Sequence, residues 1–115
     1  MQEQALREFK AGVFHGLAHP TRVAIAEILQ RGESSAGAIH ELLGVEQANV
    51  SQHLGVMRAK GIVTSRKEGN QVFYSLRDPM MGKVLDIMRQ YFVSHLSEVS
   101  EMLQAMATLP PPEEG

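Results

Sequence analysis

The chain has 115 residues, 43% apolar and 21% charged, which fits a single soluble domain with a modest core and leaves no room for a multidomain assembly. It has no cysteine, which excludes disulfides, thiolate metal sites and thiol redox sensing within the chain. The net charge of −2 excludes a uniformly basic surface, yet residues 58–77 carry Arg58, Lys60, Arg66, Lys67 and Arg77 against Glu68 alone, and phosphate affinity follows local charge.

The opening residues MQEQALREFK hold no apolar signal core, and no run approaches the roughly 18–20 apolar residues that span a bilayer. The expectation is a cytoplasmic protein with no membrane partner. Leu6, Phe9, Val13 and Leu17 recur at helical spacing, with Phe14 beside them, and predict a first helix over about 3–18. His19-Pro20 breaks it, because a residue before proline avoids helical geometry, and Pro20 suits the first turn of a second helix. Val23, Ile25, Ile28 and Leu29 fill that helix and Gly32 terminates it. Ser34-Ser35 caps a short third helix through Ala36, Ile39, Leu42 and Leu43, closed by Gly44.

A fourth helix is predicted over about 46–60, ended by Gly61. Val50, Leu54 and Met57 give it one buried stripe. Its opposite face is unusual for a surface helix: Gln47, Ala48, Ser51, Gln52, Gly55 and Ala59 stand where Lys and Glu are expected. Helix, glycine turn, helix is a helix-turn-helix pattern. After Gly61 the period changes. Ile62 to Ser65 and Gln71 to Leu76 favour strand, with a turn at Gly69-Asn70, and predict a hairpin with a basic tip. Asp78-Pro79 starts a last helix over about 79–106. Its Val84, Ile87, Met88, Tyr91, Phe92, Leu96, Val99, Met102, Leu103 and Met106 form a stripe too long for so small a domain to cover, so a second chain is expected against it. The sequence predicts one domain over 1–108 and an extended, disordered Pro/Glu tail over 109–115. The expected fold is mainly α with a β-hairpin, in the order α-α-α-α-β-β-α, which is a winged helix.

Three stretches, LAHPTRVAIAEIL at 17–29, AIHELLGVEQANVSQHLGVMRAKGIV at 38–63 and SRKEGNQVFYSL at 65–76, together resemble the arsenical-resistance-type (ArsR) family of bacterial transcriptional regulators. The resemblance implies a winged helix-turn-helix homodimer joined through its first and last helices. It implies a protein that represses, or occasionally activates, promoters, with an inducer altering its affinity for double-stranded DNA.

The slim outer face of the fourth helix fits that role. A major groove about 12 Å wide admits a helix only if the side facing the bases is thin. Ala48, Gly55 and Ala59 keep the backbone near the base edges, while Gln47, Ser51 and Gln52 supply donors and acceptors. Asn49 and His53 lie toward a flank, where phosphate is as good a partner as a base. Arg66 and Lys67 before the hairpin turn are placed to track a phosphate or enter a minor groove, or else to act as solubilising charge. Arg58, with Lys60, fits the DNA backbone or the helix C-terminal dipole, and Thr21 and Arg22 are weaker phosphate candidates.

The resemblance also locates two sensing sites. The cysteine pair of one falls on Ser35 and Gly37, which makes soft thiophilic ions such as arsenite or cadmium poor candidates. The other implies an Asp-x-His pair before a His-x-x-Glu pair on the last helix. His95 and Glu98 are present, but Gly82 and Val84 stand at the upstream positions and Asp86 lies nine residues before His95. Asp86, His95 and Glu98 joined across a dimer make a candidate Zn(II) or Ni(II) effector site, with a partly buried interface histidine as the alternative. His15 and His19, four apart, are a second candidate pair. No cofactor is required. A small organic ligand or a separate regulatory partner protein also stays open as the trigger. No nucleophile elbow, phosphate loop or zinc-protease motif is present, so no enzyme activity is expected. The alternative class is a dimeric winged-helix interaction module without DNA binding.

Overall fold

The computed structural model of the chain describes residues 2–108. The predicted tail at 109–115 lies outside the described residues. Helix α1 spans Glu3–Leu17, α2 Pro20–Gln30, strand β1 Ser34–Ser35, α3 Ala36–Leu43, α4 Gln47–Ala59, β2 Val63–Glu68, β3 Gln71–Leu76 and α5 Met80–Ala107. The helices stand where periodicity placed them, within a residue or two of the expected ends.

Local chemistry sets those ends. His19 is extended and caps α2, its Nδ1 accepting the Thr21 N–H at 3.0 Å, with Pro20 in the first turn. Ser35 caps α3 by accepting the Ala38 N–H at 3.1 Å. Gly44 closes α3 in the left-handed region at φ 69°, where a side chain would be strained. Asp78 Oδ1 accepts the Met80 N–H at 2.9 Å and opens α5.

The expected element order needs one correction. Ser34–Ser35 is also a strand, pairing antiparallel with Tyr74 and Phe73, so the sheet has three strands in the order β1-β3-β2. Two residues are too few to show a period-two pattern, and their partners lie about forty positions away, which is why the strand is invisible in the sequence. β2 and β3 form the hairpin, in register from Val63 opposite Leu76 to Glu68 opposite Gln71. Gly69 at φ 60° makes the turn between them.

Residues up to Lys83 form one compact unit. Its core joins Ile25, Ala26 and Leu29 of α2, Ile39 of α3, Val50, Leu54 and Met57 of α4, and Ile62 and Val63 leading into β2, each at most 3% exposed. Burying such side chains contributes about 1.5–3 kcal/mol apiece. Helix α1 joins this unit by close backbone approach at Gly16. A Cβ there would stand 2.5 Å from Ile62 Cδ1 and 2.9 Å from Lys60 Cβ.

The second unit begins at Val84, within α5. The helix of 28 residues is about 42 Å long at 1.5 Å per residue. Ile87, Tyr91, Phe92, Leu96, Val99, Met102, Leu103 and Met106 are all exposed on it. Tyr91 meets Phe92 edge-on at 5.5 Å and His95 at 4.6 Å between ring centroids. No helix among the described residues is long and apolar enough to cross a membrane.

Candidate nucleic-acid interface

The α3–α4 turn is built from a few short-range bonds. Gly44 N–H donates to the His40 carbonyl at 2.8 Å. The His40 side chain then reaches past the turn, its Nδ1 donating to the Val45 carbonyl at 2.5 Å. His40 had no role in the sequence reading. Here it ties the last turn of α3 to the backbone beyond Gly44.

The buried stripe of Val50, Leu54 and Met57 is fully enclosed at 0% exposure. It fixes the rotation of α4 and turns Gln47, Ala48, Asn49, Ser51, Gln52, Gly55, Arg58 and Ala59 to solvent. A Cβ at Gly55 would meet nothing within 4 Å, so packing inside the chain does not require a glycine there. The outward face is thin and polar.

His53 differs from its neighbours. It is half-buried and turned toward α2. Its Nδ1 accepts from Arg22 Nη1 at 3.3 Å, since guanidinium has no acceptor, and its ring lies 4.3 Å from that of His19. Arg22 Nη2 donates to the His15 carbonyl at 3.1 Å, while its Nε is buried without a partner. Burial, with His19 and Arg22 adding repulsion, lowers the His53 pKa from its ordinary 6.5. Arg22 therefore points inward and binds the α1–α2 junction to α4.

The wing also differs from the expected basic tip. Arg66 donates to both oxygens of Glu33, from Nη2 at 2.6 Å and from Nε at 2.7 Å, and from Nη1 to Glu68 at 2.6 Å. Its guanidinium stands 5.0 Å from the centre of the Phe73 ring. Ser75 donates to Glu33 at 3.3 Å. These bonds hold the Glu33 carboxyl below its ordinary range, chiefly through Arg66. Two carboxylates balance the charge of Arg66. Lys67, exposed, makes no ion pair among the described residues. Glu33 gave no signal in the sequence, because its partner lies 33 positions away.

The metal candidates are placed as follows. His95 Nδ1 lies 3.9 Å from Glu98 Oε2 on one face of α5. His19 stands beyond the end of α1, and its Nδ1 serves as the α2 cap, so His15 and His19 do not share a helix. Among the described residues, no group of three or more His, Cys, Asp or Glu is gathered as a metal would need.

Residues 17–66 match the family model described as a helix-turn-helix domain. The chain is also similar to the uncharacterized HTH-type transcriptional regulator Rv0081 of Mycobacterium tuberculosis, 35% identical over 105 residues, covering 90% of this chain and 92% of that one. It belongs to the ArsR-type winged helix-turn-helix transcriptional regulators. The crystal structure of Rv0081 superposes on this ArsR-type regulator with a TM-score of 0.74 at 36% identity, over 83% of this chain and 96% of that one. A further relative is the biofilm growth-associated repressor of Agrobacterium fabrum, 38% identical over 76 residues, 66% of this chain and 65% of that one. The fold alone is shared with a homodimeric winged helix-turn-helix domain of Mycobacterium bovis, with a TM-score of 0.77 at 24% identity over 85% of this chain and 93% of that one. Within this ArsR-type frame, α4 is the recognition helix and β2–β3 the wing.

Proposed function

We propose that the chain acts in the cytoplasm as a homodimeric repressor that binds a two-fold symmetric operator in double-stranded DNA. The observation that carries this reading is the segregation of α4. Its apolar residues are wholly buried, while Gln47, Ala48, Ser51 and Gln52 lie exposed on a face thin enough for a major groove. Gln47 and Gln52 offer amides for bidentate pairing with adenine, and the Ala48 methyl fits against a thymine methyl. Lys67 and Arg58 supply backbone charge.

Dimerisation is supported by the apolar side chains exposed along α5, and by Leu6, Phe9 and Phe14 exposed on α1. A stripe of this extent in water marks a partner surface. Two recognition helices then meet successive major grooves, with half-site centres about 34–36 Å apart. For the effector we propose Ni(II) or Zn(II), held by Asp86, His95 and Glu98 contributed from both chains. The closeness of His95 to Glu98 supports it, and on this reading the remaining ligands come from the second chain.

The test is a footprint on the DNA upstream of the chain's own gene, repeated with a panel of divalent metals. Two protected half-sites one turn apart are expected, released by the cognate metal. Protection of a single half-site without a symmetry mate contradicts the reading. Metal binding to the dimer that is unchanged in His95→Ala removes the α5 site.

A further inference from the structure

We propose that Arg22 and His53 form a clamp that holds the recognition helix at a fixed place against α1, and so sets the half-site spacing that a dimer can read. This rests on the DNA-binding reading above and makes both side chains positioning residues rather than DNA contacts. Three segments meet at one guanidinium. Arg22, in the first turn of α2, donates from Nη2 to the His15 carbonyl in the last turn of α1 at 3.1 Å. From Nη1 it donates to His53 Nδ1, at the middle of α4, at 3.3 Å. Its Nε is buried without a partner, and Arg22 makes no ion pair among the described residues. A guanidinium taken out of water with no carboxylate beside it is costly. An arginine serving only solubility or a phosphate would extend into solvent instead.

What the arrangement supplies is direction. Val50, Leu54 and Met57 hold α4 through apolar contact, which has no preferred bond direction. The clamp adds a bond of defined length at mid-helix, one residue from Gln52. At its other end is α1, whose exposed Leu6, Phe9 and Phe14 belong to the surface proposed for the dimer. A single side chain thus runs from the dimer seam to the base-reading helix. The clamp needs a neutral His53, because only then does Nδ1 accept. The groups facing that ring are Arg22 of α2 and His19 at its cap, while His15 of α1 offers Arg22 its backbone carbonyl. Among the described residues no carboxylate acts on His53, and neither α3 nor β2 contributes a charge to it. Protonation removes the acceptor and sets a positive ring against Arg22, so acid opens the clamp. A His53 that met a phosphate would behave in the opposite way, since protonation would strengthen that contact.

The experiment measures binding of the full chain and its variants in EDTA. The probes are the duplex protected upstream of its own gene, versions with one base pair added or removed between the half-sites, and a scrambled duplex of equal length. The unmodified chain should prefer the natural spacing. In His53→Leu that preference should fall about ten-fold, the worth of one hydrogen bond to a charged group. His53→Asn puts Oδ1 where Nδ1 stood and should restore it. His53→Leu leaves Arg22 unpaired and is the variant most prone to unfold. Arg22→Met combined with His53→Leu removes donor and acceptor together, so the fold should persist by thermal melting while the spacing preference is lost. Between pH 7.5 and 5.5 the unmodified chain should lose affinity for the natural duplex relative to His53→Asn. An undiminished spacing preference in the double variant, a His53→Asn no better than His53→Leu, or a relative gain in affinity on acidification would each overturn the proposal. If the unmodified chain binds its promoter no better than the scrambled duplex, the DNA-binding reading itself falls and the clamp's role with it. If it binds selectively and the variants match it, only the clamp falls.

Discussion

Glu33, in the loop after α2, grips Arg66 of the wing through both carboxylate oxygens, at 2.6 and 2.7 Å. The pair ties together two segments 33 positions apart and, with Glu68, balances the charge of a residue otherwise well placed to meet a phosphate. Neutralising the two carboxylates in a Glu33→Gln, Glu68→Gln double variant should free Arg66 for DNA. The expected outcome is tighter binding and a salt slope steeper by about 0.9. Equilibrium titrations at four or five salt concentrations check it, and an unaltered slope means that Arg66 stays pinned by Phe73 and the strand. The same contact carries an acid signature. The Glu33 pKa is lowered by Arg66, so its contribution to stability is present above about pH 4.5 and is lost as pH falls through the lower folded value.

His53 carries the opposite chemical group with the same sign. Its folded pKa is lowered, so the unfolded chain binds the proton more readily. Its contribution to stability is full above about pH 6.5 and is lost as pH falls from there through the folded value. Protonation also places a cation against Arg22, the donor to its Nδ1. Thermal melting between pH 7.5 and 5.5 should show a steeper loss for the unmodified chain than for His53→Gln. Parallel curves for the two would remove His53 as the titrating group.

Gln52→Ala should leave the melting temperature unchanged, because the side chain is exposed and packs against nothing it must support. Discrimination at one operator position should fall by about 1–3 kcal/mol, while binding to unrelated DNA stays the same. A selection from randomised half-sites reads this directly as one relaxed base in each half.

Gly16→Ala should destabilise the fold by about 1–3 kcal/mol, because the added methyl meets the buried Ile62 side chain and the Lys60 Cβ, neither of which is a free end. Urea unfolding gives the figure. Gly55→Ala is the contrast. Its methyl meets nothing within the chain, and so it should weaken DNA binding while leaving the urea midpoint in place or raising it slightly.

Leu54→Ala, at the centre of the α4 stripe, should cost about 2–5 kcal/mol. Operator affinity at 25 °C should fall with the folded fraction, and lower temperature should recover both together.

Much of this architecture is legible without coordinates, and for a common reason. Helix periodicity is local, so Val50, Leu54 and Met57 announce their stripe within eight positions, and Gly44, Gly61 and Pro20 mark their own boundaries. The outer face of α4 is legible for the same reason, since fixing the stripe fixes what points away from it. What the sequence concealed depends on partners far along the chain. The Ser34–Ser35 strand needs Tyr74 and Phe73, Arg66 needs Glu33, and Arg22 needs His53. No spacing rule reaches across about thirty to forty residues, so Arg66 and Arg22 looked like free cations when each was already engaged.

The strict division of α4 between a sealed inner edge and an unsupported outer one means that the residues fixing the architecture and those proposed to choose the target are separate sets. Gln47, Ala48, Ser51 and Gln52 can be exchanged for other small or polar residues without disturbing Val50, Leu54 or Met57. On the proposed reading, retargeting to a new promoter is then a matter of a few surface codons, open to natural drift or to deliberate redesign, with the scaffold left as it stands.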